Sequence, residues 1–107
     1  MEELNINNIR RLVKENKLRW TRHVIVRLLQ RDISQSDIKE CLQKGEIIEM
    51  YEKSYPYPSC LVYGIVKGDK ILHTVVGYDG DNLWIITAYY PNNMEWENNF
   101  KKRREIK

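Results

Sequence analysis

Read as apolar and polar positions, the chain changes period near its middle, at Gly45. Before that glycine, apolar residues recur every three or four positions; after it they alternate or run continuously in short stretches. In "NINNIRRLVKENK", Ile6, Ile9, Leu12 and Val13 fall at helical spacing and predict a first helix over residues 5–16. "RWTRHVIVRLLQRD" gathers Val24, Ile25, Leu28 and Leu29 on one face, a second helix with Thr21 as its N-cap. "ISQSDIKECLQKG" predicts a third. Ser34 can cap it, Asp37 sits where a capping-box acid belongs, Ile33 can staple onto Ile38, and Gly45 is placed to end it in a left-handed turn.

The second half reads as strands. "EIIEMYE" is followed by "KSYPYPS", a loop whose prolines forbid regular pairing. "CLVYGIVK" and "KILHTVVGY" are joined by Gly68-Asp69, a hairpin signal, and "NLWIITAYY" follows across "DGDN". Pro91 stops that strand, and "NNMEWENNFKKRR" predicts a closing helix with Trp96 and Phe100 on one side. Successive strands with tight turns pair antiparallel, and helices grouped before them cover one face. The expected fold is therefore a single α+β domain over residues 1–107: N-terminal helices on a four-stranded, curved antiparallel sheet, with a C-terminal helix. Because "LVYGIV" and "LWIITA" are apolar on both sides, the second face needs a cover. The tail helix, a second subunit in a homodimer or another protein could supply it.

Composition narrows the class without naming a function. The chain has 107 residues, 42% hydrophobic and 31% charged, which suits one folded domain rather than a disordered segment. No apolar run approaches the roughly 20 residues that span a bilayer, and the acidic start "MEELNINNIRR" lacks a secretory h-region, so a cytoplasmic location is expected. Cys41 and Cys60 read as thiols in a reducing compartment. Neither they nor the two histidines have metal-ligand spacing, so no metal and no cofactor are expected. Net charge is only +3, but eight Lys or Arg stand between Arg10 and Arg31 against one acid, Glu15. Lys101, Lys102, Arg103 and Arg104 add a second basic run. If both converge, they make a footprint for nucleic acid; if not, they are solvated faces.

Residues suited to chemistry cluster in two places. On the second helix His23, Arg27 and Arg31 recur at i, i+4 and i+8, a column bordering the apolar face. On the strands, His73 shares a face with Ile71 and Val75, while Thr87 and Tyr89 share a face of the next strand. A four-residue loop at "DGDN" sets His73 opposite Ala88; a one-residue bulge would set it opposite Thr87. A lone histidine in an apolar strand is ordinarily structural. RNA cleavage without metal, however, needs a base for the 2′-hydroxyl, an acid for the leaving 5′-oxygen and cations for the phosphorane. Histidine and arginine supply these, and tyrosine orients phosphate or stacks on an unpaired base. Ser59 and Cys60 lack a nucleophile elbow, and "YDGDN" reads as a turn rather than a calcium loop.

The runs "RHVIVRLLQRDIS", "KGEIIEMYEKSYPYPSCLVYG" and "LHTVVGYDGDNLWIITAYYPNNMEWENNFKKRR" together resemble the domain-of-unknown-function 4258 family, over residues 19–104. The resemblance implies a RelE/barnase-like domain similar to toxins of toxin–antitoxin pairs, with a small zinc-finger protein as cognate antitoxin. It carries His23, Arg27, His73, Thr87, Tyr89 and one of Arg103 or Arg104 as site residues. The expectation is thus a metal-independent endoribonuclease toxin acting on RNA. In it His73 and His23 open into one cleft as acid and base, Tyr89 positions substrate, Thr87 belongs to the catalytic set, and Arg27, Arg31, Arg103 and Arg104 hold phosphate. The alternative is a non-catalytic module that binds RNA or a partner protein through the same basic surface. A third reading is a helper subunit whose sheet face awaits a neighbour.

Overall fold

The computed structural model describes residues 3–105. Three helices, α1 (Ile6–Lys14), α2 (Arg22–Gln30) and α3 (Gln35–Lys44), lie on one face of a sheet of five strands. The strands are β1 (Leu18–Trp20), β2 (Glu46–Tyr51), β3 (Ser59–Val66), β4 (Lys70–Tyr78) and β5 (Leu83–Tyr89). Their order is β1-β5-β4-β3-β2, antiparallel throughout except that β1 runs parallel to β5. The fold is α+β, but the expected four-stranded antiparallel sheet with a C-terminal helix is not what forms.

Both departures have local causes. β1 is only three residues long, too short to carry a period, and its neighbours are helical; it joins the sheet as Leu83 N–H donates to the Lys17 carbonyl at 3.0 Å. In the tail, asparagines win over the helix. Asn92 Oδ1 accepts from the backbone of Met94 and Glu95, Asn99 Oδ1 accepts from Lys101 N–H, and Phe100 takes a positive φ of 57°. Side chains that satisfy nearby backbone donors offer the chain an alternative to helix. Residues 91–105 instead make turns and a small hairpin in which Trp96 bridges Arg103.

Helix starts follow the chemistry of their caps. Thr21 accepts from Val24 N–H at 3.1 Å, and Ser34 and Asp37 form the reciprocal capping box. Ile33 and Ile38 are both buried. Gly45 ends α3, but in extended geometry (φ −86°, ψ −171°) rather than a left-handed turn. Its glycine is required for space: a Cβ there would lie 2.2 Å from the Tyr63 carbonyl oxygen and 2.4 Å from that of Cys41. α3 thereby presses onto β3 and β4, α1 packs against α3, and α2 packs beside β5.

Alternation then divides the sheet. Cys60, Val62, Leu72, Val76, Ile85 and Ala88 point to the helices and join Ile9, Leu12, Val24, Leu28 and Ile38 in the main core. Tyr63, His73, Val75, Thr87 and Tyr89 point the other way, and Leu61 and His73 on that side are fully buried all the same. The non-helical tail covers His73, and its Trp96 has no exposed surface.

Candidate functional site

The register of β4 against β5 decides which groups meet. The turn does close on four residues, Asp79 to Asn82, with Tyr78 opposite Leu83. A bulge follows between Val76 and Val75, and its extra residue, Ile86, lies on β5. His73 therefore stands opposite Tyr89, not Ala88 or Thr87, and Tyr63 flanks it on β3. Three rings cross the sheet in a row, with centroids 6.2 Å (Tyr63 to His73) and 5.4 Å (His73 to Tyr89) apart.

The tail hairpin closes over this row. The Trp96 indole meets the His73 ring edge-on at 4.4 Å, and His73 Nε2 donates to the Phe100 carbonyl at 2.7 Å. Arg103 stacks on the outer face of Trp96 at 4.5 Å while its Nε donates to Glu49 at 2.8 Å. Tyr51 donates its hydroxyl to the other oxygen of Glu49. Lys101 pairs with Glu46 at 2.8 Å and lies over Tyr63. Arg104 is held by the Asn93 carbonyl and the Asn98 side chain.

These contacts set the charge states. Burial holds the His73 imidazole below its ordinary value, only partly offset by the Phe100 carbonyl and Glu49. Burial also raises Tyr89, and it combines with the Glu49 hydrogen bond to push Tyr51 up to about 12. Glu49 is pulled upward by burial, but the hydrogen bonds from Arg103 and Tyr51 outweigh that and keep it ionised below the usual carboxylate range. His73 is thus a neutral imidazole with Nε2–H committed, and its Nδ1 has no hydrogen-bond partner among the described residues. The Trp96 indole N–H is likewise buried and unpaired.

The other expected site residues lie elsewhere. α2 runs along the part of the β5 edge that β1 leaves open, and His23 and Arg27 are exposed on it. Arg31 reaches back to the sheet, donating to the Ala88 carbonyl at 2.8 Å and to Thr87 Oγ1 at 3.1 Å. Having no exposed surface, His73 lines no cleft in this conformation, so the common cleft expected for the two imidazoles is not formed. The two basic segments do not converge on it either, because Lys101 and Arg103 dock the tail on β2 and Arg104 bonds within the tail. Burial pushes the Cys41 thiol to about 11 and the Cys60 thiol to about 12, which removes both as nucleophiles. In "YDGDN", Asp79 accepts from the Asp81 and Asn82 backbone and from the Trp84 indole, as a turn requires. Among the described residues no cluster of three or more His, Cys, Asp or Glu is arranged to hold a metal ion, and no helix is long and apolar enough to cross a membrane.

Glu49, Tyr51 and Tyr63 were not singled out from the sequence. The signal was available for Tyr63, two strand positions from Leu61 on the face that alternation opposes to the helices. Glu49 was hidden by a second bulge, between Ile47 and Glu49 on β2, which resets which face the strand presents.

A family model described as "Domain of unknown function (DUF4258)" matches residues 20–90. The chain belongs to the DUF4258 family. The DUF4258 match takes in α2, α3 and β2–β5, hence the whole Tyr63–His73–Tyr89 row, but stops before the tail that covers it. No curated protein and no solved structure matches the chain.

Proposed function

We propose that this DUF4258 protein binds RNA through the basic outer face of α2. What supports the reading most directly is the contrast between the two basic segments. Lys101 and Arg103 of the tail are engaged with Glu46, Glu49 and Trp96, whereas Arg22, His23 and Arg27 stand exposed on α2 with no acidic partner among the described residues. Arg19, exposed at the start of this segment, extends the strip along β1. Guanidinium groups facing water, with the His23 ring one helical turn before Arg27, present forked donors to phosphate oxygens. The reading places the protein in a reducing cytoplasm, where its two free thiols need no partner. Binding of a labelled single-stranded oligoribonucleotide, followed by anisotropy between about 50 and 200 mM salt, tests it. Arg22→Glu with Arg27→Glu should weaken binding and lower the log–log salt slope by about 1.4, roughly 0.7 for each lost phosphate contact. An unchanged slope would refute it.

A second reading, metal-independent cleavage by a toxin kept in check by an antitoxin, is favoured by one observation. His73 is held neutral between two tyrosines with Nδ1 uncommitted, the state of a general base. In it the 2′-oxygen attacks phosphorus as Nδ1 takes its proton, and the P–O5′ bond breaks, leaving a 2′,3′-cyclic phosphate and a 5′-hydroxyl protonated from solvent. The tail must lift for substrate to arrive. Cleavage in EDTA should therefore rise in Trp96→Ala and vanish in Trp96→Ala/His73→Gln. Equal cleavage by the two variants removes His73 from the chemistry.

A further inference from the structure

The outward face of the sheet has two ends, and only one lies under the tail. At the other, the loop after β2 stands over Gly77, Trp84 and Ile86 and leaves a groove of about 280 Å³. Three aromatic rings line it, those of Tyr55 and Tyr57 beside Pro56 on the loop side and that of Trp84 on the sheet side, with Thr21 at one end. None of the lining residues is acidic. Tyr55 is 95% exposed and Tyr57 41%, so neither ring is there to fill the core. The Trp84 ring is fixed by its indole N–H, which donates to Asp79 at 2.8 Å. That hydrogen bond, the turn amides and the nearby Arg19 hold the Asp79 carboxyl below the usual range against its slight burial.

The rim carries the opposite character. Thr21 is the N-cap of α2, so the exposed Arg22 and His23 follow immediately from the groove's end. Arg19 is the register partner of Trp84 across the parallel β1–β5 pair and stands exposed on the same face. Flat rings within and guanidinium groups at the edge fit a ligand with planar apolar plates strung on an anionic thread, which describes an unpaired nucleic-acid strand. Duplex RNA does not match, because its bases are stacked inward and out of reach.

We propose that this groove binds the unpaired bases of single-stranded RNA by stacking on Tyr55, Tyr57 and Trp84, while Arg19 and Arg22 hold the adjoining phosphates. The assignment rests on the RNA-binding reading given above and adds the form of RNA and the residues that grip its bases. Nothing in it uses His73 or the tail.

The test measures binding of a single-stranded oligoribonucleotide of about eight nucleotides, the same strand in a duplex, and an abasic phosphodiester chain of equal length. Tyr55→Ala/Tyr57→Ala removes two exposed rings without opening the core; Trp84→Phe keeps the fold and loses the indole anchor. Urea midpoints confirm that both fold. The tyrosine variant should bind the single strand at least about fivefold more weakly with its salt slope unchanged, since stacking on one ring contributes that much or more, and Trp84→Phe, which keeps a ring but frees it from Asp79, should weaken binding by a smaller factor. The abasic chain should bind wild type and variants alike, and the duplex should bind no better than the abasic chain. Aromatic variants that bind the single strand like wild type, while Arg22→Glu/Arg27→Glu weakens it, overturn the groove and leave the RNA reading standing. A wild-type protein with no RNA affinity overturns both. Polyglutamate binding that falls in the tyrosine variant would assign the groove to an acidic peptide and also overturn the proposal.

Discussion

Lowering the pH should loosen the tail, and the effect should belong to His73. In the folded protein its imidazole is neutral, fully buried, capped by the Phe100 carbonyl at Nε2 and packed under Trp96. Protonation would put a second N–H, at Nδ1, where no acceptor waits. The charged groups facing the ring are Glu49, which favours the imidazolium, and Arg103, which opposes it; burial outweighs both and the native value is depressed. The sign follows. The unfolded or undocked state binds more protons once the pH drops below the ordinary imidazole value of about 6.5. The stabilisation from neutral His73 is complete above that value and is lost as the pH falls towards and through the depressed native one. One such group limits the slope to about 1.4 kcal/mol per pH unit. Glu49 stays ionised to below the usual carboxylate range, so it does not contribute in the same window. Urea unfolding between about pH 5 and 8, in a His23→Gln background that leaves one imidazole, reads the slope directly. His73→Gln, whose side-chain amide can still donate to the Phe100 carbonyl, should flatten it. An equal slope in that variant, or no slope in the parent, would refute the burial argument.

Two further outcomes probe the frame. Gly45→Ala forces a methyl against two backbone carbonyls rather than a flexible side chain, so the strand must shift; a loss of about 3 kcal/mol in urea unfolding is expected. Arg31→Ala should cost about 1 kcal/mol in the same assay and speed amide exchange near Ala88, because it removes the side chain that bonds the open edge of β5.

Where the sequence could be read, a local rule matched a local need. The capping box at Ser34 and Asp37, the Thr21 cap and the turns at Gly68-Asp69 and at "DGDN" are written in a few adjacent residues, and the structure uses each of them. Gly68 and Asp69 both take positive φ, as a short hairpin requires. The failures came where two rules competed. In "NNMEWENNFKKRR" the spacing of Trp96 and Phe100 suits a helix, but four of its thirteen residues are asparagines, and their side chains satisfy the turns instead. β1 failed for another reason: a strand of three residues exists only because β5 has an edge to offer, which is tertiary information.

The site failed in the most instructive way, through bulges. Alternation correctly put Thr87 and Tyr89 on one face and His73 on a face with Val75, yet the choice of partner hung on a single unpaired residue. Ile86, 48% exposed, carries its side chain over Gly77, where a Cβ would lie 3.2 Å from its terminal carbon. A methyl at Gly77 would press on the far end of the Ile86 side chain, so the glycine on β4 leaves room beside the bulge on β5. The bulge in turn sets Tyr89 opposite His73. Ile86, two positions along β5 from Trp84, lies beside it at the floor of the groove. Gly77→Ala should therefore turn the exposed end of Ile86 aside at the groove floor and weaken single-strand binding, while leaving the His73 ring signals in place, because the tip of a flexible side chain can yield without shifting the strand. Were the His73 signals to shift in that variant, the contact between Gly77 and Ile86 would be what holds the bulge, and with it the pairing of His73 with Tyr89, in place.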